Sequence, residues 1–151
     1  MEEPPGGTGG WYNLERFVAA QESGGTYHRA VAELRAGRKL SHWMWFVFPQ
    51  VTGLGHSQAA RTFAIASLAE AQAYLRHPVL GPRLTECAAI LTSLRGRGAE
   101  QIFGVIDALK LRSSMTLFLR ADPDRGLFAQ VIQQYFDGLP DSATDRLLAA
   151  R

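Results

Sequence analysis

The sequence predicts an all-α fold, a compact orthogonal array of about eight short helices with no sheet. Three observations carry that expectation. Apolar residues recur at helical spacing along most of the chain. Glycine, proline and cap-forming residues punctuate it at intervals that suit short helices. The one strand-like segment, WMWFVF at 43–48, has no partner strand elsewhere, and a lone strand leaves its backbone groups unpaired.

The elements follow in order. MEEPPGGTGG at the start is acidic and rich in Pro and Gly, so residues 1–12 read as a flexible lead-in to one helical domain over 13–151. Leu14, Phe17 and Val18 mark the first helix, which breaks at Gly24-Gly25. Tyr27, Val31 and Leu34 share a face of a helix from Thr26 to Ala36, and Gly37 suits the left-handed position after its end. Residues 43–48 read as a short helix or irregular turn, capped by Ser41 and stopped before Pro49. QVTGLGHS is a loop, and Ser57 caps a helix to about Ala66. Ser67 and Glu70 form a capping box for a helix to about Arg76. His77-Pro78 interrupts, and Pro82 starts a longer helix to Leu94. After the GRG bend a short turn carries Gln101 to Phe103. Asp107 then caps a helix ending near Ala121. Phe128, Val131, Ile132 and Tyr135 mark the next helix, and Asp141 caps the last. No internal repeat is present.

Bulk properties narrow the functional classes. A chain of 151 residues, 46% hydrophobic and 20% charged, is long enough to bury its own core without a metal or disulfide staple. Cys87 is the only cysteine, which excludes an internal disulfide, gives no zinc motif and fits a reducing compartment such as the cytoplasm. No apolar run approaches a membrane span. The net charge is +2 and the basic residues are dispersed, which argues against a duplex nucleic acid partner. Only Lys39 and Lys110 are lysine; the other 14 basic residues are arginine. An ammonium is a compact point charge that tunes readily by burial, so these two positions stand out.

Polar residues beside aromatics are the candidate site. His42 precedes two tryptophans, where its ring can sit at a pocket rim. Trp43 and Trp45 diverge by ~200° in a helix, so one of them is placed to line a cleft and stack on a base or sugar. Gln50 presents an amide on a turn. TGLGHS at 52–57 sets Gly53 and Gly55 before Ser57, an arrangement that can cradle an anion at a helix start. Lys110 and Ser114 share a helix face at i,i+4, a cation beside a hydroxyl. Glu33, near Lys39 in sequence, is the acid best suited to proton transfer.

The strings RFVAAQ (16–21), AVAELRAGRKLSHWMWFVFPQVTGLGHS (30–57), EAQAYLRHPVLGPRL (70–84) and DALKLRSSMTLF (107–118) resemble one bacterial family, the domain of unknown function eighteen-ten. The resemblance implies a compact all-helical domain and no biochemical role. It also marks recurring positions: Glu33, Lys39, His42, Trp43, Trp45, Pro49, Gln50, Ser57, Tyr74, His77, Pro78, Gly81, Lys110, Ser114 and Thr116. Tyr74 and Thr116 join Ser114 in the ligand-binding set on that basis. A looser likeness of architecture is to helical proteins that remove ADP-ribose from nucleobases.

The functional expectation is a pocket for a nucleotide-like or phosphorylated ligand. His42, Glu33 and Lys110 would carry catalysis, most simply hydrolysis of an N-glycosidic bond. Lys39, Trp43, Trp45, Gln50, Gly53, Gly55, Ser57, Tyr74, Ser114 and Thr116 would bind, and no metal or cofactor is called for. The alternative is a non-enzymatic interaction module with an aromatic groove.

Overall fold

The computed structural model describes residues 12–151. The expected lead-in therefore lies, Tyr12 excepted, outside the described residues. Nine α-helices are found among them: α1 Glu15–Glu22, α2 Thr26–Arg35, α3 Met44–Val47, α4 Gln58–Thr62, α5 Leu68–Arg76, α6 Leu80–Ser93, α7 Ala99–Ala121, α8 Gly126–Phe136 and α9 Ser142–Ala149. No sheet forms there; an isolated parallel bridge joins Val51 to Ile65. The all-α expectation holds.

Helix α7 is the central column, packed by α5, α8 and α9, while α6 bridges α5 and α8. Phe17, Tyr74 and Phe118 are fully buried. Their rings make a continuous row of contacts, edge-to-face for Phe17–Tyr74 (centroids 5.2 Å apart) and tilted for Tyr74–Phe118 (5.3 Å). Burying each such side chain stabilises the fold by about 1.5–3 kcal/mol.

Three boundaries differ from the sequence expectation, each for a tertiary reason. Helix α4 stops at Thr62 because the chain beyond it pairs elsewhere: Ile65 N–H donates to Gln50 O (2.8 Å) and Thr52 N–H to Ile65 O (2.9 Å). Helix α6 begins at Leu80, with Pro82 inside its first turn. The cap there is His77, whose Nδ1 accepts from Val79 N–H (3.1 Å) and Leu80 N–H (3.3 Å). That fixes the ring proton on Nε2, which faces Glu15 Oε2 at 3.0 Å. Finally, the short turn at 101–103 and the helix after it merge into α7, interrupted only by Gly104 at φ 80°, ψ 167°. Asp107 does not cap a helix.

Gly81 shows how closely α5 and α6 meet. A Cβ placed there would lie 2.2 Å from Leu75 O, a backbone atom that cannot swing aside. Gly126 has open space around its Cα and an ordinary φ. Gly81→Ala is therefore expected to cost about 1–3 kcal/mol through overpacking. Gly126→Ala should stay within about 0.5 kcal/mol of the parent. Urea denaturation of the two variants measures the contrast; equal stabilities would show that the α5–α6 approach is not constrained.

Candidate functional site: a two-lysine cleft beside the tryptophan strip

The site begins with the end of α2. Gly37 adopts φ 74°, and its N–H donates to Leu34 O (2.9 Å) while Arg38 N–H donates to Glu33 O (3.0 Å). This is a Schellman turn, as Gly37 suggested from sequence. It sends residues 38–43 back across the last turn of α2, over Glu33. The Glu33 carboxylate, 8% exposed, accepts from Leu40 N–H (2.8 Å), Ser41 N–H (3.0 Å), Ser41 Oγ (2.6 Å) and Trp43 Nε1 (2.9 Å). Burial pushes its pKa up, but those hydrogen bonds outweigh burial and hold it at about 2.

The same loop presents Lys39 on its other side. Lys39 N–H donates to Ile102 O (2.7 Å), which pins the loop to α7. Its ammonium donates to Ser41 O (2.6 Å) and pairs with Asp107 Oδ2 (2.9 Å). Lys110, one turn along α7, pairs with Asp107 Oδ1 at 3.3 Å. The only two lysines of the chain thus share one carboxylate. Burial alone would raise the Asp107 pKa; the two ammoniums overcome it and hold the carboxyl below its usual range. Each cation also sits over an indole, Lys39 Nζ 5.0 Å from the Trp43 ring and Lys110 Nζ 4.1 Å from the Trp45 ring. A cleft of about 100 Å³ opens here, lined by Lys39, His42, Trp43, Met44, Trp45, Phe46, Asp107 and Lys110.

Six ammonium N–H bonds meet in this cleft, and three are spent on Ser41 O and the two Asp107 oxygens. The remainder can serve an incoming anion. His42 is exposed at the rim and Trp45 is half-buried. Lys39, His42, Trp45 and Lys110, predicted from two distant segments, do come together.

Other predicted residues do not reach the cleft mouth. Glu33 accepts four hydrogen bonds and its pKa is depressed, an arrangement that anchors the loop and works against proton transfer at neutral pH. Trp43 is 1% exposed, and its ring carries Lys39 Nζ at 5.0 Å in the cleft wall. Tyr74 lies fully in the core, its OH 3.4 Å from Gln21 Nε2. Thr116 is sealed, donating to Arg112 O (2.8 Å) and accepting from Asp141 N–H (2.8 Å) to tie α7 to the start of α9. Ser114 is sealed one turn beyond Lys110, so the two do not face a ligand together. Gln50 is buried too, and among the described residues neither its Nε2 nor Ser114 Oγ has a hydrogen-bond partner.

The 52–57 turn lies against Trp45, and its predicted residues make protein contacts. A Cβ at Gly55 would lie 3.3 Å from Trp45 Cη2 and 2.9 Å from Ala60 Cβ, so glycine lets the indole lie against the loop. Gly53, at φ 108°, packs beside Leu147, and Arg151 donates to Thr52 O (2.8 Å). Ser57 Oγ is spent on Ala60 N–H (3.1 Å), capping α4.

Sequence reasoning missed Asp107 as the hub of the cleft. Its i,i+3 spacing to Lys110 was the available signal. Among the described residues, no three metal-ligating side chains gather.

Residues 11–148 match the family described as Protein of unknown function (DUF1810). The chain belongs to that family. Its fold is similar to the crystal structure of the conserved hypothetical protein Rv1873 from Mycobacterium tuberculosis, determined at 1.38 Å. The two are 52% identical, the match covers 91% of this chain and 97% of that one, and the TM-score is 0.88. No curated protein matches the chain. Neither DUF1810 nor this relative carries an activity in its description, so function is argued from the cleft.

Glu33→Ala leaves two backbone N–H groups and an indole N–H without their acceptor, and should cost about 3 kcal/mol or more. Because the folded carboxyl titrates below the unfolded one, its stabilisation is present above the unfolded pKa of 4.5 and lost as pH falls toward 2. Urea midpoints recorded from pH 7 to pH 2 should fall through that window in the parent and less steeply in Glu33→Ala. Parallel curves would show that Glu33 does not anchor the loop.

Proposed function

We propose that the two-lysine cleft binds the anionic group of a small phosphorylated, nucleotide-like ligand, with the ligand's ring resting on Trp45 beside His42. The observation that carries this reading is the convergence of Lys39 and Lys110 on one carboxylate with ammonium donors to spare. Two ammoniums against one carboxylate leave the cleft with a net positive charge, and the partly enclosed setting limits screening. A volume of about 100 Å³ suits one phosphoryl or carboxylate group and excludes a whole nucleotide. The ring therefore lies over the rim, beside the half-buried Trp45 indole, which carries Lys110 Nζ on one face at 4.1 Å.

In this reading Lys110 and Lys39 hold charge, and Asp107 is the internal anion with which the ligand competes for both ammoniums. Proton transfer during hydrolysis of an N-glycosidic bond would fall to His42, since Glu33 is withdrawn behind its four donors. The arginines do not favour nucleic acid. Arg35 lies near Glu86 (3.7 Å) and Arg112 is bound to Leu139 O (2.7 Å), on separate elements.

Calorimetric titration and melting curves with AMP, ADP-ribose and inorganic phosphate test the proposal. A ligand at a hundred times its dissociation constant should stabilise the parent by about 2.7 kcal/mol. Lys110→Ala should weaken binding about ten- to hundredfold, the value of a charge-assisted hydrogen bond, and Trp45→Ala should weaken AMP more than phosphate. Asp107→Asn removes the competing carboxylate and should tighten phosphate binding. No response of the parent to any of the three ligands overturns the proposal, and so does an Asp107→Asn variant that folds but binds more weakly.

A further inference from the structure

We propose that the groove between α7 and α8 is a self-association surface that takes a second copy of this chain across a two-fold axis. The proposal is independent of the anion cleft, which uses a different face of α7. It also relocates the aromatic interaction groove expected from sequence, from the tryptophan strip to Tyr135 and Phe136.

The groove has a volume of about 450 Å³, and its walls include Glu100, Val105, Leu109, Arg112, Tyr135 and Phe136. Val105 is 61% exposed, Ile106 70%, Leu109 60% and Leu139 59%. The Gly104 break explains why. One non-helical residue puts the two parts of α7 out of register, so Ile102 and Phe103 before it are buried while Val105 and Ile106 after it face outward. These four side chains alone present on the order of 400 Å² of aliphatic surface, as large as the biggest patch on an ordinary monomer. A standard interface takes about 800 Å² from each partner, so this aliphatic surface is about half of one side.

Charge selects the occupant. Glu100 and Arg112 line the same groove at opposite ends of the aliphatic run. Arg112 spends Nε on Leu139 O (2.7 Å) and one Nη2 hydrogen on Pro140 O (3.3 Å), which leaves other guanidinium donors for a carboxylate. A copy related by a two-fold axis near Ile106 runs its α7 antiparallel, so each Glu100 meets the partner's Arg112. In such an isologous contact residue i meets j and j meets i. A foreign partner would need the same order of acid, aliphatic run and base, and this chain already carries it.

Sedimentation equilibrium of the full chain over a range of concentrations decides the matter. The mass should rise with concentration from 16.6 kDa toward twice that value. Ile106→Asp, on an exposed position, should stay monomeric with an unchanged melting curve. Leu109→Glu is a second variant of the same kind. Glu100→Arg should weaken the dimer about tenfold, and adding Arg112→Glu should restore it. A parent that stays at 16.6 kDa at every concentration overturns the proposal. So does a dimer that Ile106→Asp and Leu109→Glu leave intact, and so does a folded double charge reversal that fails to restore association.

Discussion

Four donors from residues 40 to 43 converge on the two carboxylate oxygens of Glu33, and the position of the cleft follows from that convergence. Residues 38–43 have no helix or sheet to satisfy their backbone, and buried N–H groups need partners. Glu33 supplies them from the last turn of α2, directly beneath the returning chain. A buried carboxylate without a cation is tolerable only when its lone pairs are filled, and here hydrogen bonds alone do it. The arrangement fixes the Trp43 indole on the inner side of the loop. Lys39 and His42 are thereby left facing out, toward α7.

The second ionic cluster has a different character. Lys39, Asp107 and Lys110 are partly buried, and each cation is flanked by an indole, yet their hydrogen-bonding capacity is not exhausted. The Glu33 network is closed, with donors and acceptors matched. The Asp107 network is open, with spare donors at a concave surface. Closed networks hold a fold, whereas open ones of this kind are where a protein can exchange internal partners for a ligand's. The two sit on opposite sides of one short loop, so rigidity in the first positions the second.

Helix α7 links the cleft to the groove. It reaches Ala121 as one column, yet Gly104 offsets its first five residues from the remainder. Before the break, Ile102 holds the Lys39 loop through its carbonyl. After the break, Asp107 and Lys110 meet the cleft while Val105 and Leu109 turn to the groove beside α8. A residue with a Cβ would be strained at φ 80°, so glycine at this position is what allows one helix to serve both faces.

The sequence alone was sufficient for what local physics decides. Helical periodicity, the Gly37 ending of α2, the Ser57, Ser67 and Asp141 caps and the absence of a partner strand all depend on neighbours within a few residues, and they appear where expected. The rarity of lysine, too, was visible in the composition and pointed at Lys39 and Lys110. What the sequence left undetermined was which polar atoms would already be satisfied. Glu33 read as a free acid because its donors come from a loop whose path depends on packing against α7. Gly53, Gly55 and Ser57 read as an anion cradle because spacing does not reveal that Leu147 and Trp45 would lie against the glycines and that Ser57 would cap α4. Thr116 and Tyr74 looked available for the same reason. Periodicity reports which face of a helix is apolar, but only the tertiary contacts decide whether a polar group ends up facing a protein partner or an open cleft.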